Sequence, residues 1–382
     1  MRVSLGSFLT TPAMQAAVGA VLSSSRLSYG PVSQAYEQRF AKMHDCGYGV
    51  VSNSGTSSLV VALQALKQMH GWQDGDEVIV PALTFVASVN AILHNRLTPV
   101  LVDVNPHTFN IETISIPGAI TPRTRCIMPV HLFGQPASTA VINNIAHHHN
   151  LAVVEDSCEA VLASYIGRKV GAWGDVGCFS TYAAHHLVTG VGGMATTNNP
   201  DLAKLMRSLV NHGIDLTELP TGEHYDPSFL ARKFRFTSVG HSFRMTELEA
   251  AIGLAQLDDL PAHIEQRRKN AEYLITGLTG LDGFIQTQAT LFGAHHSWMV
   301  FPIVRRYGSK WPMMSYLQKH DIECREMVPL TNQPCYNFNE ADYPVAKSIN
   351  ERGFYVGCHQ GLTTEHLDYM IDAIGDYFNG QG

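Results

Sequence analysis

Short runs of β-branched residues alternate with amphipathic segments along the first two thirds of the chain. The apolar runs predict strands over residues 50–53, 77–80, 99–104, 126–132 and 151–155. Helical periodicity between them predicts helices over residues 58–69, 87–93 and 138–149. This alternation is typical of a mainly parallel sheet with helices on both faces, and ligands of such sheets gather at the carboxyl ends of the strands.

The pattern changes near residue 245. A long tract from Met245 to Leu278 carries Ala, Leu and Ile at helical spacing, and we interpret it as the bridge into a smaller C-terminal α+β domain. We therefore expect a large domain over residues 1–245 and a small domain over residues 246–382. Two unequal domains also suit a chain of 382 residues, which is long for one continuous core.

Composition and charge exclude several classes of protein. Hydrophobic residues make up 45% and charged residues 15% of the chain, which is typical of a globular protein. A net charge of -7 gives no electrostatic reason to expect nucleic-acid or anionic-membrane binding. No apolar run reaches about 18 residues, and the N-terminal segment does not resemble a signal peptide, so we expect a cytoplasmic protein.

The cysteine and histidine patterns argue against a metal site. The 7 cysteines are widely spaced, without a CxxC pair, so we expect reduced thiols and neither structural zinc nor an iron–sulfur cluster. The tract His147–His149 lies in a predicted helix, where consecutive side chains point in different directions and do not converge on one ion.

Two polar segments follow predicted strands. The turn Gly55-Thr56-Ser57 begins a helix, where free amides and hydroxyls bind an anion or simply cap the helix. Asp156 ends the strand over 151–155, where its carboxylate either holds a heteroaromatic nitrogen protonated or caps the next helix.

A third segment combines a strand end with a glycine-rich loop. The run over residues 174–181 delivers Ser180, and the dipeptide His185-His186 follows before Gly192-Gly193. Loops of this kind let the backbone approach a ligand closely.

In this order, and with further motifs at residues 81–88, 129–136, 211–213, 243–247 and 357–363, these segments resemble the DegT/DnrJ/StrS family. Its members are fold-type-I pyridoxal-phosphate enzymes that act mostly on nucleotide-linked keto-sugars. The resemblance covers nearly the whole chain. It implies an α/β fold with a mainly parallel seven-stranded sheet in the large domain, and a homodimer with shared active sites.

The resemblance also assigns cofactor contacts, for pyridoxal 5'-phosphate or pyridoxamine 5'-phosphate. It implies that Ser180 and the turn at Gly55 hold the phosphate, that Phe85 stacks on the ring, and that Asp156 pairs with the pyridine nitrogen. Most aminotransferases of the family carry Gln where this chain has Glu159, whereas some sugar dehydratases carry an acidic residue. The full implied set is Gly55, Thr56, Ser57, Phe85, Asp156, Glu159, Ser180 and Ser242.

The main departure from the aminotransferase pattern is His185. It stands where those enzymes have their Schiff-base lysine, and no lysine lies between Lys169 and Lys204. Imidazole does not form a stable imine, which needs a primary amine. With an ordinary pKa of about 6.5, however, it moves protons at neutral pH, which makes His185 the candidate catalytic residue.

The pattern from Tyr182 through His185-His186 to Gly192-Gly193 resembles one branch of the family, the keto-deoxysugar 3-dehydratases. The resemblance implies loss of the C3 hydroxyl from a nucleotide-linked 4-keto-6-deoxyhexose, with His185 removing a proton from the cofactor C4′ carbon. Because the chain has no closely grouped cysteines, we expect the cluster-free route, in which glutamate regenerates pyridoxamine phosphate.

Other positions leave alternatives open. Arg325 either binds a substrate diphosphate or bridges the domains, and His296 either lines the substrate pocket or is structural. His186 either orients His185 or packs. Ser242 replaces the Asn through which relatives contact phosphate across the dimer, and Val191 replaces the usual Glu of the glycine loop.

Two other functions fit the same motifs. One is a sugar aminotransferase in which another amine replaces the missing lysine. The other is a non-catalytic regulator that binds cofactor or sugar, although retention of Asp156 and Ser180 argues against it, because a pseudoenzyme has no need of an electron sink.

Overall fold

The computed structural model describes residues 1–216 and 234–380. Its strands in chain order are β1 Tyr48–Ser52, β2 Glu77–Pro81, β3 Thr98–Val102, β4 Thr124–Ile127, β5 Ala152–Asp156, β6 Ser164–Tyr165, β7 Arg168–Lys169, β8 Val176–Ser180, β9 Gly193–Thr197, β10 Ile285–Thr287, β11 Ala294–His295, β12 Phe301–Arg305, β13 Cys324–Glu326 and β14 Gly353–Val356. Its α-helices are α1 Pro12–Ser23, α2 Pro31–Met43, α3 Gly55–His70, α4 Val86–His94, α5 Ile116–Ala119, α6 Thr139–His149, α7 Pro200–Leu209, α8 Glu247–Gln256, α9 Leu260–Gly277, α10 Trp311–Lys319, α11 Pro344–Arg352 and α12 Thr364–Phe378.

The central sheet has seven strands in the order β1-β9-β8-β5-β4-β2-β3. Only β9 runs against its neighbours β1 and β8, and the other pairings are parallel. The prediction of a mainly parallel seven-stranded sheet is therefore confirmed.

Alternating strand residues pack against helices on opposite faces of this sheet. Val78 and Val154 join the cluster that includes apolar side chains of α3, α4 and α7. Ile79 and Val153 point the other way and join the cluster that includes Ile142 of α6. Because both faces are buried, the strands read as continuous apolar runs in the sequence.

A second, antiparallel sheet has the strand order β10-β12-β14-β13. Its apolar side chains form a separate core with α9, α10 and α12. The segment at Val3 also belongs to this core, because Val3 is buried there and forms a parallel bridge with Ile322. A short sheet of β11, β6 and β7 lies beside the central one.

The helical tract after residue 245 consists of two helices, α8 and α9, with a break at residues 257–259. Pro261 lies in the first turn of α9. Proline lacks an N–H donor and its ring clashes with the carbonyl four residues earlier, so one helix cannot run through this position undistorted. Among the residues that the structure describes, no helix is both long enough and apolar enough to cross a bilayer.

Candidate active site

The carboxyl ends of β5 and β8 meet the N-terminus of α3. At this junction Gly55 begins the helix, and a Cβ atom placed on it would come within 2.7 Å of Cys158 Sγ and 2.8 Å of Ser180 Cβ. Only glycine therefore lets the start of α3 approach the end of β8 this closely. The free N–H groups of a first helical turn then face the strand end that carries Ser180.

Hydroxyl groups line the start of α3. Ser54 caps the helix by accepting a hydrogen bond from the Ser57 N–H at 3.0 Å, and Ser57 Oγ donates to Asn53 Oδ1 at 2.7 Å. Thr56 lies between them, half-buried. The segment therefore caps its helix and also presents amides and hydroxyls of the kind that hold a phosphate. The two sequence interpretations are compatible.

Asp156 lies at the end of β5 and is buried. Its Oδ2 accepts a hydrogen bond from Ser88 Oγ at 2.6 Å, and its Oδ1 accepts one from the Cys158 N–H at 3.2 Å. Ser88 in turn lies 2.8 Å from Thr84 Oγ1. These contacts fix the carboxylate at the strand end, where it suits a protonated ring nitrogen. Ser88 and Thr84 were not recognised from the sequence as supports of Asp156.

Glu159 lies one turn beyond Asp156. Its Oε2 accepts a hydrogen bond from the Phe133 N–H at 2.7 Å. Burial raises the pKa of Glu159 to about 7, the Phe133 N–H opposes this shift, and the charge of Asp156 adds to it. Phe133 itself adopts a left-handed conformation, with φ of 59°, in the turn Leu132–Gly134. Phenylalanine rarely adopts this conformation, so the sequence did not predict the left-handed turn at Phe133.

His185 lies in a loop that leaves β8 and returns to β9. The side chains of Thr181 and Thr189 lie 2.6 Å apart and close the base of the loop. Gln256 of α8 holds it again, because its Nε2 donates to the Val188 carbonyl at 2.7 Å. The Tyr182 N–H donates to Ser180 Oγ at 3.3 Å, so the loop starts against the predicted phosphate contact.

The His185 imidazole has a ring nitrogen without a partner among the described residues. Its Nδ1 atom is buried without a hydrogen-bond partner in the described part of the chain, and the centroids of the His185 and Tyr182 rings lie 6.3 Å apart with the rings inclined at 74°. Burial lowers the pKa of His185 to about 4. The ring is therefore neutral at pH 7, and a neutral imidazole keeps a lone pair on one nitrogen.

The neighbouring histidines are engaged inside the protein. His186 is buried, and its Nε2 lies 3.0 Å from the Ser297 carbonyl, so it pins the loop to the segment before β12. His296 Nδ1 accepts a hydrogen bond from the Trp298 N–H at 2.8 Å, and its Nε2 lies 3.1 Å from Gln288 Oε1. Both contacts support the packing alternative for these two residues.

The remaining predicted residues lie at the margins of the site. Phe85 caps α4 without a side-chain hydrogen bond and is 60% exposed, so its ring face is accessible. Ser242 is exposed and accepts a hydrogen bond from Arg244 Nη2 at 2.8 Å. The adjacent Phe243 carbonyl accepts from the Asn53 N–H at 2.7 Å, which places this segment beside the start of α3.

Arg325 lies on β13 directly opposite Tyr355 of β14. Burial and the charge of Glu159 raise the pKa of Tyr355, while the Arg325 guanidinium lowers it, so all three groups share one region. Arg325 and Glu159 therefore both lie near Tyr355. Tyr355 was missed in the sequence, where it is one aromatic residue of a short apolar strand.

A model of the DegT/DnrJ/EryC1/StrS aminotransferase family matches residues 10–375. The chain belongs to this family. It is 36% identical to GDP-perosamine synthase of Caulobacter vibrioides, over 91% of this chain and 90% of that protein. It is 29% identical to GDP-4-keto-6-deoxy-D-mannose 3-dehydratase of Escherichia coli O55:H7, over 94% of this chain and 95% of that protein. The family resemblance expected from the sequence is confirmed.

A solved structure of the E. coli 3-dehydratase with bound hydrated PLP matches this chain with a TM-score of 0.90 at 27% identity. The match covers 98% of this chain and 99% of that one. A structure of a GDP-4-keto-6-deoxymannose-3-dehydratase with a trapped PLP-glutamate geminal diamine also matches, with a TM-score of 0.90 at 27% identity over 98% of this chain and all of that one. The cofactor expected from the sequence is thus the one these relatives carry. The residues here fit it, because a close-packed glycine turn with free amides lies beside a buried, fixed carboxylate.

The described residues contain no group of three or more His, Cys, Asp or Glu side chains arranged to hold a metal ion. All seven cysteines lie in this part of the chain and are free thiols, and only Cys335 is exposed.

Proposed function

We propose that this family member is a pyridoxamine-phosphate-dependent enzyme that removes the C3 hydroxyl of a nucleotide-linked 4-keto-6-deoxyhexose. The observation that carries the proposal is His185, a neutral and partly buried imidazole in the loop where aminotransferases of the family place lysine. The likeness to the E. coli 3-dehydratase over nearly the whole chain supports it.

Each part of the site has a role in this proposal. Bound pyridoxamine phosphate supplies an amine that captures the sugar ketone and a ring that accepts an electron pair. The start of α3 and Ser180 hold the phosphate, Phe85 covers the ring, and Asp156 keeps the ring nitrogen protonated. Arg325 binds the substrate diphosphate, because a guanidinium fork matches phosphate oxygens.

His185 performs the proton transfers. It accepts a proton from the C4′ carbon, and the resulting imidazolium protonates the departing C3 hydroxyl. Burial lowers the pKa of His185, so the ring is unprotonated at pH 7 and free to accept this proton, and the imidazolium that forms then donates it. Hydrolysis of the dehydrated intermediate would release the nitrogen as ammonia and leave the cofactor in its aldehyde form. Glutamate would then return the amine and leave as 2-oxoglutarate, a role that the PLP-glutamate structure of a relative supports.

The direct test is incubation with pyridoxamine phosphate, glutamate and a panel of GDP- and CDP-linked 4-keto-6-deoxyhexoses. We expect a 3-deoxy product by mass spectrometry together with free ammonia. His185→Asn should lower the rate by about 10²-fold or more, because the general acid–base is lost. Activity at the wild-type level in this variant would exclude the proposed role of His185.

A sugar aminotransferase is the second candidate, and the family description and the 36% identity to GDP-perosamine synthase favour it. Residues 170–203 contain no lysine, so such an aminotransferase would need an amine from elsewhere in the protein to bind the cofactor covalently. If the protein were an aminotransferase of this kind, pyridoxal phosphate added to the wild type would give the absorbance of a lysine adduct. The proposed dehydratase instead predicts this absorbance only in the His185→Lys variant.

We further infer a homodimer. Two large apolar side chains of the loop between β8 and β9 are exposed, Tyr182 at 54% and Val191 at 52%. A second subunit over this region would cover them. Light scattering should give a mass near twice the 41.9 kDa of the chain, and a monomeric mass at micromolar concentration would contradict it.

A further inference from the structure

The hydrogen bond that holds Glu159 comes from a residue in a strained conformation. Phe133 donates its N–H to Glu159 at 2.7 Å while its φ is 59°. A bulky residue in this region costs about 1–3 kcal/mol and persists only when its surroundings fix it. Some neighbouring contact must therefore hold the Phe133 peptide in place.

Two contacts do so. The Phe133 carbonyl accepts a hydrogen bond from the Met299 N–H at 2.9 Å, which anchors one side of the peptide. The Phe133 ring packs on the ring of Tyr355, with centroids 5.6 Å apart and planes inclined at 51°. Phe133 is fully buried in this arrangement, so its ring has no freedom to turn the peptide away.

Tyr355 belongs to the antiparallel pair β13–β14 and stands opposite Arg325. The same strand pair thus carries the proposed substrate-binding arginine and the aromatic support of the Phe133 turn. Main-chain pairing in a sheet fixes side-chain positions more firmly than a loop does.

We propose that Tyr355 is a positioning residue that acts through Phe133 to hold Glu159 in place at the cofactor site. The Tyr355 ring packs on the Phe133 ring and keeps Phe133 in its left-handed conformation. This conformation directs the Phe133 N–H toward Glu159, and the hydrogen bond from that N–H fixes the carboxyl group. The inference rests on the proposed function only in taking this site as the pyridoxal-phosphate site.

The test measures the affinity of the intact protein for pyridoxal phosphate by absorbance between pH 5.5 and 8.5. In the wild type we expect a midpoint near 7 that Glu159→Gln removes. Tyr355→Ala should raise this midpoint by about 0.5–1 pH unit, because a loosened Phe133 N–H no longer stabilises the carboxylate. Tyr355→Phe keeps the ring and should restore the wild-type midpoint.

Two further variants show whether a shifted midpoint reflects the Phe133 turn or a general loss of structure. Phe133→Gly accepts the positive φ but removes the ring, and should shift the midpoint as Tyr355→Ala does. Tyr369→Ala removes a tyrosine that packs against the second core, away from Phe133, and whose hydroxyl donates to the His320 carbonyl at 3.0 Å; it should leave the midpoint unchanged.

Three results would overturn the inference: a wild-type midpoint in Tyr355→Ala and Phe133→Gly, an equal shift in Tyr369→Ala, or no midpoint that depends on Glu159. None of them requires a sugar substrate. If the expected shifts are seen but no 3-deoxy sugar forms, the proposed reaction is wrong and the role of Tyr355 still stands.

Discussion

Single residues decide how closely the elements of the predicted cofactor site approach one another. Gly55 shows this most directly, because its missing side chain lets α3 contact both Ser180 and Cys158. Gly193 does the same from β9, where a Cβ would lie 2.2 Å from the Ser54 carbonyl oxygen. The turn at Gly55 is thus closely packed on two sides, by Cys158 and Ser180 on one side and by the start of β9 on the other.

Gly55→Ala should weaken binding of pyridoxal phosphate by about ten-fold or more, which corresponds to about 1.4 kcal/mol. The added methyl group must push either Cys158 or Ser180 away from the helix start. A spectroscopic titration measures the change. Gly19→Ala is the matched control, because a Cβ there meets nothing within 4 Å, and we expect unchanged affinity. Equal affinities of the two variants would show that the contact at Gly55 is unimportant.

At the scale of elements, helix ends are tied to distant segments of the chain. The buried Glu247 at the start of α8 accepts hydrogen bonds from the N–H groups of Gly30, Val32 and Ser33 at 2.8–2.9 Å, and from Ser33 Oγ at 2.5 Å. One carboxylate therefore satisfies the free amides at the start of α2 and joins α2 to α8.

Glu247→Ala should lower the free energy of unfolding by about 3 kcal/mol, because it leaves several buried amides without an acceptor. Urea denaturation at pH 7 measures this. Glu249 lies in the same first turn but caps only its own helix through Thr246, so Glu249→Ala should cost about 1 kcal/mol or less. A similar cost for both variants would contradict the link between the two helices.

The sequence predicted elements that depend on local composition and missed contacts between residues that are distant along the chain. Strands such as β2 and β5, buried on both faces, were located because their apolar runs depend only on local composition. The antiparallel direction of β9 and the Tyr355–Phe133 contact were missed, because both depend on residues distant in sequence. The same limit hid Ser88, which lies 68 positions from the Asp156 it supports.

For the whole molecule, buried neutral histidines set the response to acid. Burial lowers the pKa of His44 and of His359 to about 4, and it also holds those of His186 and His296 well below their ordinary value. His44 shows why, since its Nε2 accepts a hydrogen bond from the Leu162 N–H at 3.1 Å and cannot do so once protonated.

We expect the free energy of unfolding to fall as the pH drops from about 6.5 to about 4. In this window the unfolded chain takes up protons on histidines that the folded state keeps neutral. Burial raises the pKa of Glu37 and Glu159, which acts in the opposite direction, but the histidines are more numerous. Urea denaturation at a series of pH values measures the slope.

His44→Gln should flatten this slope by up to about 1.4 kcal/mol per pH unit, because one titrating group is removed while an amide keeps both a donor and an acceptor. A wild-type stability that stays level or rises between pH 6.5 and 4 would contradict the assignment.

The bridge between Val3 and Ile322 has a consequence for synthesis on the ribosome. The Val3 N–H donates to the Asp321 carbonyl at 2.9 Å, and the Val3 carbonyl accepts from the Glu323 N–H at 2.8 Å. The partner of this segment is translated roughly 320 residues later, which takes about 15–60 seconds at about 5–20 residues per second. The second core therefore cannot be completed cotranslationally until most of the polypeptide has emerged, and until then Val3 and its neighbours are available to chaperones.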